Sequence, residues 1–289
     1  MNDYLISFLL GIIEGVTEFL PVSSTAHLRI AEAFLGINLA DGFWKMYSIV
    51  IQLGAILALP VYFRSRIMNF IATFPRGEGG DRTILTHPLS LTLIAFVVTA
   101  IPSYLLKKQI GQNLESLVVM GWALLLGGIA MWVVDALFQR PRVDRLEEMN
   151  LPQAIWIGAV QILSAVFPGT SRSMCTIAAG QTAGLSRSAA LEFSFFLSMP
   201  TMAVATGYDL LKAIAPGSQD AGDAELAPVA MSAHHWTVLG IGFLVSFVVA
   251  LGVVAWFMRW VRARGFVPFA VYRIVAGIAL LVLVSRRLG

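Results

Sequence analysis

Glu14 and Glu18 stand four residues apart in an apolar stretch that reads Gly11-Ile-Ile-Glu14-Gly-Val-Thr-Glu18-Phe-Leu-Pro21-Val-Ser23-Ser24-Thr25-Ala-His27. On a helix this spacing puts both carboxylates on one face, one turn apart. Two close carboxylates can share a proton, so that one serves as acid or base, or can together hold a hard divalent cation through oxygen. Spacing alone does not choose between these. Pro21 interrupts the helix, and Ser23, Ser24 and Thr25 would open a new one whose unpaired N–H groups favour an anion. His27, about one turn beyond Ser24, is placed to reach that hydroxyl or a group bound above it.

A second stretch supplies what the first lacks: Gly158-Ala-Val-Gln161-Ile-Leu-Ser164-Ala-Val-Phe-Pro168-Gly-Thr170-Ser171-Arg172-Ser173-Met174. Pro168-Gly predicts another break and another half-helix, this time with an arginine at its mouth. The planar guanidinium of Arg172 suits bidentate binding of phosphate and keeps its charge when partly buried. Ser171, Ser173 and Thr176 would join the same turn. At a constant offset of 147 residues Gly11 falls on Gly158, Glu14 on Gln161, Thr17 on Ser164, Pro21 on Pro168 and Ser24 on Ser171. This is an internal repeat. The two halves together hold acids, hydroxyls, an imidazole, an arginine and two positive helix ends, a set suited to phosphoryl transfer.

The elements that must position these groups are membrane helices. Of 289 residues, 57% are hydrophobic and 13% charged, with a mean hydropathy of +0.78, which excludes an ordinary soluble globule. Runs long enough to span about 30 Å of hydrocarbon fall at 44–63, 88–106, 116–138, 189–212, 236–260 and 266–285. The segments 5–35 and 153–184, each broken at its proline, are expected to enter and leave by one face. Each precedes three spans, an odd number of crossings, so the second half should be inverted relative to the first. The fold expected is an all-α integral membrane protein. It forms one membrane domain over 1–289, with repeats at about 1–140 and 151–289.

Four connecting stretches read as loops: Arg64 to His87, Arg140 to Glu148, an acidic 213–235 segment with Asp220, Asp223 and Glu225, and Trp260 to Gly265. Their basic clusters, Arg64/Arg66, Arg140/Arg142/Arg145 and Arg259/Arg262/Arg264, place those loops in the cytoplasm and the acidic one outside. Lys107/Lys108 and Arg286/Arg287 run against the rule. The net charge of +3 is membrane-flanking in pattern, which argues against a nucleic-acid partner. Cys175 is expected as a buried thiol. A basic leader and a small-residue cleavage site are both missing from the first run, so it should stay in the mature protein. Within the spans Gln52, Asp135, Arg187, Glu192, Asp209 and Arg273 are expected mainly to pair structurally; Gln52 and Arg273 are kept as additional site candidates, because an unpaired intramembrane arginine is costly.

These blocks resemble the bacitracin-resistance undecaprenyl-diphosphate phosphatases. The stretches Glu14 to His27, Pro168 to Ser173 and Ser186 to Pro200 look like that family's signatures, and the likeness runs over essentially the whole chain. The resemblance implies an enzyme of the bacterial cytoplasmic membrane that removes the terminal phosphate of a C55 polyprenyl diphosphate at the external face. That activity recycles the carrier lipid of cell-wall synthesis and confers bacitracin resistance. By motif position, Glu14 and Glu18 resemble the acidic pair, Ser24 a nucleophile, His27 an acid/base residue or alternative nucleophile, and Arg172 the phosphate-binding arginine. Ser23, Thr25, Ser171, Ser173 and Thr176 look like phosphate contacts. A divalent cation, Mg2+ or Ca2+, would sit on Glu14 and Glu18. Partners expected are the lipid substrate, membrane lipid and, in a homodimer, a second copy. One departure is Met174-Cys175, where a small pair is expected; its bulk would narrow the approach to the second half-helix.

Inverted repeats with broken helices also build ion-coupled and lipid transporters, the rival class. The hydroxyl and imidazole beside the acids favour hydrolysis, since a carrier needs charge compensation but no nucleophile. A P-S-G-H block and the G-x-x-x-x-G-K-[ST] phosphate loop are both missing, which argues against acid-phosphatase-like and nucleotide-hydrolysing enzymes.

Overall fold

The computed structural model describes residues 2–37, 42–106, 116–214 and 231–288, and all regular structure among them is helical. Eleven α-helices follow in order: α1 (Asp3–Thr17), α2 (Ser24–Phe34), α3 (Gly42–Tyr62), α4 (Arg64–Thr73), α5 (Pro88–Leu105), α6 (Leu117–Leu137), α7 (Leu151–Val166), α8 (Arg172–Thr182), α9 (Arg187–Ile214), α10 (Ala233–Arg264) and α11 (Val267–Leu288). Six of them, α3, α5, α6, α9, α10 and α11, are long and apolar enough to cross a bilayer. The expected spans match them to within a few residues. Large apolar side chains such as Leu93, Val97, Leu126, Leu244, Val248 and Val275 lie exposed on these helices. Only lipid makes such a surface stable.

Each broken segment packs on a span from the other half. α1 lies along α10 and α7 along α5, while α6 pairs with α11. The repeat glycines explain the closeness of the first two contacts. A Cβ on Gly11 would lie 2.9 Å from the Gly242 carbonyl oxygen, and one on Gly158 2.9 Å from the Ala95 Cα. Thr99 spans the second contact, its hydroxyl donating to the Gly158 carbonyl at 2.7 Å. Gly158→Leu is therefore expected to push α7 off α5 and destabilise the protein by about 1–3 kcal/mol, read as a lower melting temperature in detergent. Unchanged melting would mean that the contact is loose.

Of the expected loops, the first is helical over Arg64–Thr73 and the last over residues 260–264. Arg64–Thr73 forms α4 because Phe63, Ile67 and Phe70, spaced four and three apart, pack into the core, and Arg66 reaches Glu147 at 2.5 Å and Glu192 at 2.9 Å. Trp260 to Arg264 continues α10, with Val261 buried and Arg262 and Arg264 in the last turn, where cations complement the helix dipole. Gly265, at φ +67°, ends it. The Arg140 to Glu148 stretch holds a short 3-10 turn at Leu146–Glu148. Lys107/Lys108 and the acidic residues Asp220, Asp223 and Glu225 lie outside the described residues.

The basic segments gather at one end. Besides the Arg66 bridges, the Asp135 carboxylate at the end of α6 accepts from Arg187 at 2.7 Å, from Gln181 at 3.0 Å and from the Phe266 N–H at 3.2 Å. At the opposite end, where α1, α3 and α10 begin, His234 bonds Asp3 and Tyr4 and His235 stacks on Phe43. Asp135, Arg187 and Glu192 thus pair structurally as expected, and Asp209 is also partnered.

Candidate active site

α1 stops at Thr17, α2 starts at Ser24, and Ser23 between them adopts φ +75° as the N-cap, its hydroxyl accepting from the Ala26 N–H. α7 stops at Val166, α8 starts at Arg172, and Ser171 adopts φ +71° as the N-cap, accepting from the Met174 N–H. Ser23 and Ser171 are the described non-glycine residues with positive φ, a conformation that typically marks a functional constraint. The equivalence differs by one residue from the repeat offset: Ser23 matches Ser171 at 148, although Pro21 matches Pro168 at 147. Gly169, at φ +91°, is the extra residue, and it corrects the expected match of Ser24 with Ser171. Ser24 and Arg172 are instead the equivalent pair, each the first residue of its half-helix.

Both meet Glu18. The Ser24 hydroxyl donates to Glu18 Oε2 at 2.5 Å, and Arg172 Nη2 donates to Glu18 Oε1 at 2.9 Å. The carboxylate is 5% exposed and the arginine 11%. Arg172 keeps two more donors, Nε and Nη1, buried without an acceptor among the described residues. One turn before Glu18, Glu14 is fully buried, and no donor among the described residues reaches either of its oxygens. A hydroxyl bonded to a carboxylate, beside a cation with unused donors and two half-helix N-termini, is suited to attack on a phosphorus centre.

The sequence also matches the bacitracin resistance protein BacA family over residues 7–279. The chain belongs to this family. Similar proteins include an undecaprenyl-diphosphatase of Koribacter versatilis (strain Ellin345), 65% identical over 99% of this chain and 100% of the relative. Others, with the same name, are from Caldanaerobacter subterraneus subsp. tengcongensis, 39% identical over 98% of this chain and 96% of the relative, and from Rhizobium etli (strain CIAT 652), 39% identical over 96% of each.

The other candidates from the BacA-like motifs divide into two groups. Thr25 stays near the cluster, part-buried, with no hydrogen bond among the described residues. Ser171 and Ser173 lie 3.0 Å apart, and Ser173 donates to the Leu20 carbonyl, joining α8 to the first break. Thr176 is buried, its hydroxyl committed to the Arg172 carbonyl and to Ser194 of α9 at 2.7 Å; it braces the half-helix. Gln52 is part-buried on α3 and forms no hydrogen bond to the cluster.

His27 departs from the expected contact with Ser24. Its Nδ1–H donates to the Ser23 carbonyl at 2.7 Å, which leaves Nε2 to accept from the Tyr272 hydroxyl at 2.6 Å. The tautomer follows because a carbonyl can only accept. Backbone geometry explains the difference, since the Ser23 carbonyl lies one turn back from His27 on the same side, while the Ser24 hydroxyl turns toward Glu18. Tyr272, whose ring stacks on His27 with centroids 5.6 Å apart, was not singled out by the sequence. Its only signal there is adjacency to Arg273.

The bulky Met174 and Cys175 do not narrow the mouth of the second half-helix. They are 5% and 2% exposed and pack inward, where Gly127 leaves room: a Cβ there would lie 2.8 Å from the Met174 Cε.

Proposed function

We propose that this chain hydrolyses undecaprenyl diphosphate to undecaprenyl phosphate and inorganic phosphate, recycling the carrier lipid for cell-wall polymers and conferring bacitracin resistance. The observation that carries the reading is the Glu18 carboxylate held between Ser24 and Arg172 from opposite halves of the chain. The isoprenoid tail stays in lipid while the diphosphate lies over the two half-helix N-termini. Arg172, through Nε and Nη1, binds the terminal phosphate. Ser24 Oγ attacks the terminal phosphorus, Glu18 takes the hydroxyl proton, and the bond from that phosphorus to the bridging oxygen breaks, releasing undecaprenyl phosphate. Once Glu18 is protonated its hold on Arg172 weakens, and the guanidinium turns to the phosphoryl oxygens. Glu18 passes that proton to the bridging oxygen of the departing undecaprenyl phosphate. Its carboxylate then takes a proton from a water that attacks the seryl phosphorus, the bond from phosphorus to Ser24 Oγ breaks, and Glu18 returns the proton to that oxygen as inorganic phosphate leaves.

A divalent cation, Mg2+ or Ca2+, fits on one ground: the fully buried Glu14 oxygens have no donor. Among the described residues no group of three or more His, Cys, Asp or Glu could hold a metal. Glu14 and Glu18 would therefore hold it together with phosphate oxygens, and it would neutralise phosphate charge. Without the cation, a proton on Glu14 answers the same need.

The inverted-repeat organisation, with halves at about 1–140 and 151–289, is part of this reading. It is supported by the matched breaks and by the reciprocal packing of α1 on α10 and α7 on α5. It is supported too by α1 starting at the His234 end and α7 at the Arg82 end, where Arg82 donates to the Met149 carbonyl. We place the protein in the bacterial cytoplasmic membrane, with the site open to the external side.

The test is phosphate release from undecaprenyl diphosphate by the purified protein in detergent. Release should stop with chelator and return with Mg2+ or Ca2+. Release that chelator leaves unchanged would remove the cation but not the enzyme. No release under any divalent cation would favour a transporter built on the same halves.

A further inference from the structure

Arg273 on α11 is the largest side chain with no exposure, yet no carboxylate among the described residues pairs with it. Carbonyl oxygens satisfy its two terminal nitrogens instead, while Nε stays buried with no acceptor among the described residues. Nη1 donates to the Pro21 carbonyl at 3.1 Å, and Nη2 faces the carbonyls of Ala123 at 2.9 Å, Gly169 at 3.2 Å and Thr170 at 2.9 Å. Pro21 belongs to the first break, Gly169 and Thr170 to the second, and Ala123 to α6. Gly127, one turn past Ala123, is the reason the guanidinium fits, because a Cβ there would fall on Nη2.

This arrangement bears on the site through the peptide planes. In a trans peptide the C=O and the following N–H point in opposite directions. A Thr170 carbonyl turned to Arg273 therefore turns the Ser171 N–H away from it, and that N–H has no acceptor among the described residues. The next residue is Arg172. Pro21 likewise leads into Ser23 and Ser24.

We propose that Arg273 is a positioning residue, a clasp whose single guanidinium ties the two breaks together and so sets Ser24 and Glu18 against Arg172. The proposal rests on the phosphatase reading above for its kinetic consequences, but not for its geometric one. The fork geometry is the point, since a lysine ammonium keeps the charge but cannot hold carbonyls spread over both breaks in one plane.

The geometric test places spin labels on Thr25→Cys and Thr170→Cys in a Cys175→Ser background and reads their dipolar coupling. The unaltered Arg273 protein should give one narrow distance and Arg273→Lys a broad one. A narrow distance in both overturns the clasp whether or not the protein proves to be a phosphatase. The kinetic test measures phosphate release from undecaprenyl diphosphate. Arg273→Lys and Gly127→Val should each lower kcat by about 100-fold, the scale of a 1 Å misplacement, with KM changed by less than about twofold. Near-normal kcat in Arg273→Lys would mean that charge alone matters and would overturn the proposal. Arg273→Met added to Arg172→Met should cost little more than Arg172→Met alone, because a residue that acts through another loses its effect when that other is gone. Independent, multiplying losses would assign Arg273 to general stability. If Arg273→Met fails to fold, Arg273→Lys and Gly127→Val carry the test.

Discussion

Ser24→Ala should fold normally, keep the Glu18–Arg172 ion pair and release phosphate at least about a thousandfold more slowly than the unaltered enzyme, in line with the loss of a nucleophile elsewhere. The expectation follows from the 2.5 Å bond between Ser24 and Glu18, which places a proton acceptor directly on the attacking oxygen. Glu18→Gln should be nearly as damaging, by about 100- to 10,000-fold, because an amide cannot take the proton. Combining the two should cost little beyond Ser24→Ala, as groups that act in one step do not add. Near-normal turnover by Ser24→Ala would transfer the attack to water and leave Glu18 as that water's base. The matching His27→Ala should be milder than Ser24→Ala, since the imidazole touches Ser23 and Tyr272 rather than the Ser24 hydroxyl. A loss as deep as that of Ser24→Ala would return His27 to the chemistry.

Arg172→Met is the second large effect, with kcat/KM expected to fall by about a thousandfold, the low end for an arginine that stabilises a transferring phosphoryl group. Two losses combine. The terminal phosphate loses the Nε and Nη1 donors, and Glu18 loses its ion-pair partner. Arg172→Lys should recover little, because an ammonium cannot engage Glu18 and phosphate through a planar fork. Phosphate-release kinetics over a range of undecaprenyl diphosphate concentrations separate these effects, with both KM and kcat affected. An unaltered KM would remove Arg172 from substrate binding and confine it to orienting Glu18.

Much of this site was legible in the residues because its signals are local. The Glu14/Glu18 spacing is a property of one helix turn. Pro21 and Pro168 stand ahead of runs of Ser and Thr, a local break signal that Pro60, Pro102 and Pro200, inside α3, α5 and α9, do not share, and a serine ahead of a new helix is a cap whatever surrounds it. The six spans follow from length and hydropathy in the same way. The misread stretches failed for a related reason. The spacing of Phe63, Ile67 and Phe70 carries a helical signal, but the arginines and glycines around it concealed a face that exists only against the core.

Residue types and their order along the chain set the solvent, the helical spans, the two breaks and the polar groups gathered there. Tertiary structure decided who meets whom. Glu18 and Arg172 are 154 positions apart, and their contact depends on α1 docking along α10 while α7 docks along α5. The same packing directed Thr176 to Ser194, turned His27 to Tyr272, and supplied Arg273 with carbonyls from three segments. The physical reason is range. Helix formation, capping and bilayer partitioning act over a few residues, whereas the direction of a hydrogen bond across the site is fixed only when separate helices have packed.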